Sequence, residues 1–261
     1  MTKNEVISKL VKDFNGTVET IGNRHIFKFD DGFGFSLYNL TDDNIDYDAL
    51  VRQVMEMRKE QETLVEKIHN TNPGTNNIRK ILINKKWNDG FDIASNETFG
   101  GDLMVAYMVD IGDNCAIKIT NGLLETWGVT LEDLGLCVKE PTPLLLDMET
   151  AMFGSRENNN ILDTDERIQG GAMYVLTSEE SIHGASVVLN NGLLAEIAER
   201  VGGDYYLIPS SIHEWLILAD DGTLDANELT AMIKDVNEIQ VLPKEWLGDH
   251  VYRYSDIMAA Q

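Results

Sequence analysis

The stretch from residue 173 to residue 222, MYVLTSEESIHGASVVLNNGLLAEIAERVGGDYYLIPSSIHEWLILADDG, decides the fold class, because strand, helix and turn signals follow one another in it. Residues 173–177 and 185–189 are short apolar runs rich in β-branched side chains and bounded by polar residues or glycine, the pattern of buried strands. Asn191 offers a side-chain oxygen to the free N–H groups of a helix start. Leu193, Leu194, Ile197, Ala198 and Val201 then recur at three- and four-residue spacing, with Glu196, Glu199 and Arg200 facing water. Gly202 and Gly203 can take the positive φ that closes such a helix. Residues 205–208 and 212–218 read as two further strands. Pro209, Ser210 and Ser211 separate them where a ladder N–H is missing and the chain must turn. The unit reads β, β, α, β, β.

Upstream, Val6, Ile7, Leu10, Val11 and Phe14 share one helical face, and Asn15-Gly16 ends it. Residues 17–21, 24–29 and 33–40 form a predicted three-stranded meander with hairpin loops at Gly22-Asn23 and Asp31-Gly32. A helix from Asp46 to about His69 follows, with Leu50, Val54, Met57, Leu64 and Ile68 as its core stripe. The Pro-Gly within residues 70–77, NTNPGTNN, breaks both periodicities and marks a boundary between subdomains 1–70 and 78–261. In the second, residues 78–83, 103–111 and 116–119 read as strands. Residues 121–127 form a short helix ended by Gly128, and Thr130 caps another that runs to about Glu140. Residues 144–153 read as helix, 154–171 as a mobile loop, and 251–254 as an edge strand. Asp225 with Glu228 begins a helix whose Leu229, Met232 and Ile233 cover a sheet. The whole is α+β, with mixed or antiparallel sheets and covering helices in two layers.

The segments MYVLT at 173–177, HGA at 183–185, PSSIHE at 209–214 and LADDG at 218–222, with GLLETWGV at 122–129, resemble a bacterial family known only as a domain of unknown function. The resemblance runs from about residue 78 to residue 254. It implies a shared fold and assigns no activity, so no catalytic residue is carried over.

Charge narrows the function classes. The chain carries 44 acidic against 21 basic residues, a formal net charge of −23. Between residues 140 and 236 the only basic residues are Arg156, Arg167, Arg200 and Lys234. Such a surface repels phosphates, which argues against direct binding of nucleic acid or an anionic membrane. It favours a protein partner with a basic surface, or imitation of nucleic acid by an inhibitor of a nuclease or defence complex. The two cysteines lack zinc-site spacing, and no apolar run approaches a membrane span; together these indicate a reduced, cytoplasmic setting.

Candidate chemistry concentrates at the PSSIHE segment. Ser210, Ser211, His213 and Glu214 suggest nucleophile, base and orienter, but alternation along a strand sends His213 and Glu214 to opposite faces. His183 and His213 with Glu214 or Asp220 could bind zinc or iron as a hydrolase centre, although the spacing is not that of a known metal motif. No cofactor is implied. Ser210, Ser211, His213, Glu214, Asp220 and Asp221 are therefore expected to contribute to an interaction surface. Asp220-Asp221-Gly222 reads as a tight turn rather than a calcium loop, and the basic patch of Arg79 and Lys80 leading into Lys85-Lys86 reads as a solvated strand end.

Overall fold

The computed structural model describes residues 1–21, 24–29, 34–36, 45–71, 73–74, 78–95, 97–112, 115–154, 159–242 and 245–260. The chain forms two compact units, Met1–Thr71 and Asn72–Gln261.

The first unit holds α1 (Lys3–Phe14), an antiparallel meander of β1 (Thr17–Ile21), β2 (Arg24–Lys28) and β3 (Gly34–Ser36), and α2 (Tyr47–Asn70). Thr2 and Glu5 form a reciprocal capping box at the start of α1, and Asn15 ends it in the left-handed conformation at φ 49°. Val6, Leu10, Phe27, Phe29, Phe35, Tyr47 and Val54 form one buried cluster. Of the predicted stripe of α2, Val54 is buried, Leu50, Leu64 and Ile68 are half-buried and Met57 is exposed, and only Leu50 and Val54 pack into this cluster. Length explains this, because 24 residues of helix span about 36 Å whereas a five-residue strand spans about 17 Å. The hairpin loops predicted at Gly22-Asn23 and Asp31-Gly32, and residues 37–40, lie outside the described residues.

The second unit is organised by a five-stranded antiparallel sheet with strand order β12-β10-β11-β9-β8. Its strands are β8 (Pro143–Asp147), β9 (Met173–Ser178), β10 (Tyr205–Ser211), β11 (Glu214–Ala219) and β12 (Tyr252–Arg253). A second antiparallel sheet comprises β4 (Ile78–Asn84), β5 (Glu97–Phe99), β6 (Leu103–Asp110) and β7 (Ala116–Lys118), with β4 at an edge. Leu82, Leu103 and Val105 of this sheet join Leu145, Leu176, Leu207, Trp215 and Ile217 of the other in the main core, together with Leu193, Leu194 and Ile197 of α6 (Asn191–Val201). On the opposite face, Tyr206, Ile208 and Leu218 pack against Leu229 and Ile233 of α7 (Ala226–Gln240). Burial on both faces is why these strands read as continuous apolar runs rather than alternating ones. Among the described residues the named strand pairs are all antiparallel, and the fold is α+β; a single parallel bridge joins Ile78 to Val138.

Several expectations are corrected. Residues 185–189 are not a strand: the 3-10 helix Gly184–Leu189 occupies them, with Ala185, Val187 and Val188 all buried. Burial on every side produces the same apolar run in either element, so periodicity cannot separate them. Asn190 rather than Asn191 caps α6, its side chain accepting from the N–H groups of Gly192 and Leu193 at 2.9 and 3.2 Å. Pro209 lies inside β10, beside a register irregularity that absorbs its missing N–H, and the turn falls at Ile212-His213.

The predicted helix at 144–153 is β8 followed by α5 (Met148–Phe153). Pro143 takes the first position of an edge strand, and the Asp147 carboxylate accepts the Thr150 N–H at 2.9 Å, starting the helix only there. The expected helix at 121–127 is α3 (Asn121–Trp127), and the next, α4 (Leu131–Gly135), stops well before Glu140, because Val138 and Lys139 are drawn to the edge of β4, where the Lys139 N–H donates to the Ile78 carbonyl at 2.8 Å.

Within 154–171, residues 155–158 lie outside the described residues, but Ile161 and Ile168 are buried. The Arg200 guanidinium ties the segment down, donating to the carbonyls of Ile161, Leu162, Thr164 and Glu166 at 2.8–3.2 Å and to Glu196 at 2.7 Å. Arg200 therefore does not face water as predicted. Met232, expected to cover the sheet, is exposed.

Candidate functional site

Three of the segments singled out in the sequence, MYVLT, HGA and PSSIHE, meet in one hydrogen-bonded knot. His183 adopts the left-handed conformation at φ 55°, and its backbone N–H donates to Nδ1 of His213 at 3.1 Å. The Thr177 hydroxyl donates to the His213 carbonyl at 2.8 Å, and the Trp215 indole N–H donates to the Ala185 carbonyl at 2.8 Å. Gly184 lies between them. A Cβ there would collide with Thr177 Oγ1 and approach the His213 carbonyl oxygen and the Ser178 nitrogen to 2.6 Å, so only glycine lets the backbone lie this close to β9.

The serines serve this turn. Ser211 Oγ accepts the His213 N–H at 3.1 Å, while the Ser210 hydroxyl donates to Glu214 at 3.2 Å. Neither is hydrogen-bonded to a histidine ring, so no nucleophile and base pair is assembled. The His183 and His213 rings lie 5.6 Å apart, but among the described residues no group of three or more His, Cys, Asp and Glu side chains could hold a metal ion.

Asp220 and Asp221 stand beyond the other end of β11, about 17 Å of strand away. Asp220 pairs with Arg253, which also donates to the Tyr206 hydroxyl, and the Asp220 carboxylate accepts the Gly222 N–H at 3.1 Å. Asp221 accepts from the Thr223 N–H and hydroxyl, which hold its carboxyl below the usual range. These two residues form a turn and an ion pair, and the structure does not bring them to the histidines.

Behind the knot a cleft of about 300 Å³ lies along the outer edge of β4, beside the bridge from Ile78 to Val138. Arg79, Lys80, Lys139, Glu180, His183 and Ser186 line it, with Ile78, Ile182 and Pro141 as its apolar wall. Lys139 Nζ is paired with Glu180 at 2.9 Å, and Ser186 Oγ donates to the His183 carbonyl at 3.0 Å. The Nε of Arg79 and Nδ1 of His183 are both buried and without a hydrogen-bond partner among the described residues. Burial holds the His183 imidazole neutral by lowering its pKa to about 4, and the nearby His213, Arg79 and Lys118 add to the effect. Of the basic patch expected to be a solvated strand end, Lys85 and Lys86 are exposed but Arg79 and Lys80 are half-buried, with the Arg79 Nε buried. The signal in the sequence was two cations set in a mostly apolar strand, IRKILIN, where four buried positions follow them.

A second feature lies on α7. Met232, Val236 and Ile239 recur at four- and three-residue spacing, Leu242 follows just beyond the helix, and all four are exposed, Ile239 by 79 %. Glu228 and Asp235, each four residues before Met232 and Ile239 respectively, flank the stripe on the same helix face. Met232 and Val236 also form the lip of a smaller cavity of about 130 Å³ over Ile208, Pro209 and Leu216.

No helix among the described residues is long and apolar enough to cross a membrane. No curated protein and no solved structure matches the chain. A family model matches residues 35–256, which bears out the likeness seen in the motif segments and extends it back into the first unit. The chain belongs to the family of unknown function DUF5688.

Proposed function

We propose that this protein is a binding protein whose acidic surface engages a basic protein partner, and that α7 is where the partner docks. The observation that carries this reading is the exposed stripe of Met232, Val236, Ile239 and Leu242 bordered by Glu228 and Asp235. A contiguous apolar patch rimmed by charge marks an interaction surface on a soluble protein. The second unit carries 31 acidic against 12 basic residues, a net charge of −19, and Lys234 is the sole cation within α7. The occupant best suited to it is an amphipathic helix with Lys or Arg beside its apolar face. Its side chains would bury the stripe for affinity, and its charges would speed association and fix orientation.

The test uses a labelled amphipathic Leu/Lys helical peptide, its Leu/Glu counterpart and fluorescence anisotropy. The reading expects the Lys peptide alone to bind, more weakly as salt rises and about tenfold or more weakly to Ile239→Asp. Equal binding to wild type and Ile239→Asp would leave charge without a docking site and defeat the reading. Purification from the native host on wild-type and Ile239→Asp protein in parallel then identifies the partner. If DNA displaces that partner, the nucleic-acid-imitating inhibitor is favoured.

A further inference from the structure

We propose that the cleft along the edge of β4 binds a small molecule through an oxyanion, a carboxylate or a phosphate, held by Arg79 and His183. In a unit with 12 basic residues against 31 acidic ones, Arg79, Lys80 and the Glu180-paired Lys139 all line this one cavity, and Lys118 is close enough to act on the His183 ring. Cross-strand pairing sets Arg79 opposite Met108 and Met108 opposite Lys118, so the two cations share a sheet face.

Charge alone would not indicate a ligand; the unmatched polar atoms do. A buried N–H on a charged group that bonds to nothing costs more than a neutral one, and buried polar groups of native proteins are almost always satisfied. Arg79 Nε and His183 Nδ1 break that rule together, at the same cavity. An oxyanion in the cleft would draw the guanidinium and the imidazole towards it and give both an acceptor or donor partner. The guanidinium fork matches the spacing of carboxylate and phosphate oxygens, and a neutral imidazole can either donate to such an oxygen or accept from a protonated one.

His183 is also held in a costly conformation. It is one of three non-glycine residues with positive φ among those described, and its position is imposed by the bond to His213 and the fit of Gly184 on β9. Strain of this kind, overdetermined by its surroundings, gathers at ligand sites. The cleft volume of about 300 Å³ suits a compact molecule. Asp110, Glu140 and Glu180 also line the cleft, so a small anion held at Arg79 fits whereas a polyanion such as nucleic acid does not.

The experiment is an NMR titration of the isotopically labelled full chain, following the Arg79 side-chain N–H and the His183 ring, with inorganic phosphate and separately with succinate. At least one probe is expected to shift both signals saturably with a Kd of about 1 mM or tighter. Arg79→Lys, which keeps the charge and loses the fork, is expected to weaken binding about tenfold or more while leaving the remaining amide spectrum in place. If that variant fails to fold, His183→Gln replaces it with the same expectation. No saturable shift with either probe up to about 10 mM, or undiminished binding in the folded variant, overturns the proposal. Which probe binds decides between phosphate and carboxylate.

Discussion

Replacing Gly184 by alanine adds one methyl group, and the structure places that group against backbone. It would collide with Thr177 Oγ1 and lie 2.6 Å from both the His213 carbonyl oxygen and the Ser178 nitrogen. A flexible side chain could swing away from such a contact, but two of these three atoms belong to β9 and to the turn between β10 and β11. Overpacking of this kind costs about 1–3 kcal/mol, and displacing the His213 carbonyl from the Thr177 hydroxyl adds about 1 kcal/mol. The expected loss is therefore about 3 kcal/mol, equivalent to a fall in Tm of roughly 6–12 °C for a unit of this size. Gly203→Ala is the control, because a Cβ there meets nothing within 4 Å and the residue has no positive φ; it is expected within about 0.5 kcal/mol of wild type. Urea unfolding followed by tryptophan fluorescence reads the right part of the molecule, since Trp87, Trp127, Trp215 and Trp246 all lie in the second unit. A Gly184→Ala midpoint matching that of Gly203→Ala at unchanged slope would refute the claim that the HGA segment is held by contact with β9.

Three further outcomes follow from the same structure. The His183 ring should titrate near pH 4 by NMR; because the folded protein disfavours its protonation, its contribution is fully present above the unfolded value of about 6.5 and is lost as pH falls towards 4. A ring midpoint above pH 6 would show that the residue is solvated instead. Arg200→Met should free the carbonyls of Ile161, Leu162, Thr164 and Glu166, raising amide exchange across 161–168 by about tenfold or more while α7 stays protected; unchanged exchange would mean the guanidinium is not what orders the segment. Trp215→Phe should destabilise the second unit by about 1–3 kcal/mol, because the buried Ala185 carbonyl loses its donor; a neutral effect in urea unfolding would argue that water replaces the indole.

Local rules carried a long way in this chain. The helix from Tyr47, the strand at Ile78, the helix over 191–201 with its glycine stop and the edge strand at Tyr252 were all readable, because each depends on spacing, caps and breakers that act within a few residues. The failures share one physical origin. Residues 185–189 and 144–146 are buried almost throughout, and a run without periodicity suits a buried strand or a buried helix equally; contacts distant in sequence decide between them. The role of Arg200 depended on carbonyls 34–39 positions away, which no helical pattern around it could indicate.

The candidate site divides in the same way. From the sequence came the acidity, the family likeness and the segments around His183 and His213 as places of interest. What those segments do for one another was decided only by tertiary structure, which sets the His183 N–H against the His213 ring across 30 residues and leaves Asp220 and Asp221 at the far end of the strand. The pairing of Arg79 with His183 across one cleft was likewise invisible, since more than a hundred residues separate them in the chain. Sequence spacing determines which side chains share an element and a face, whereas the meeting of two elements is settled by the global burial of apolar surface, a property of the whole chain.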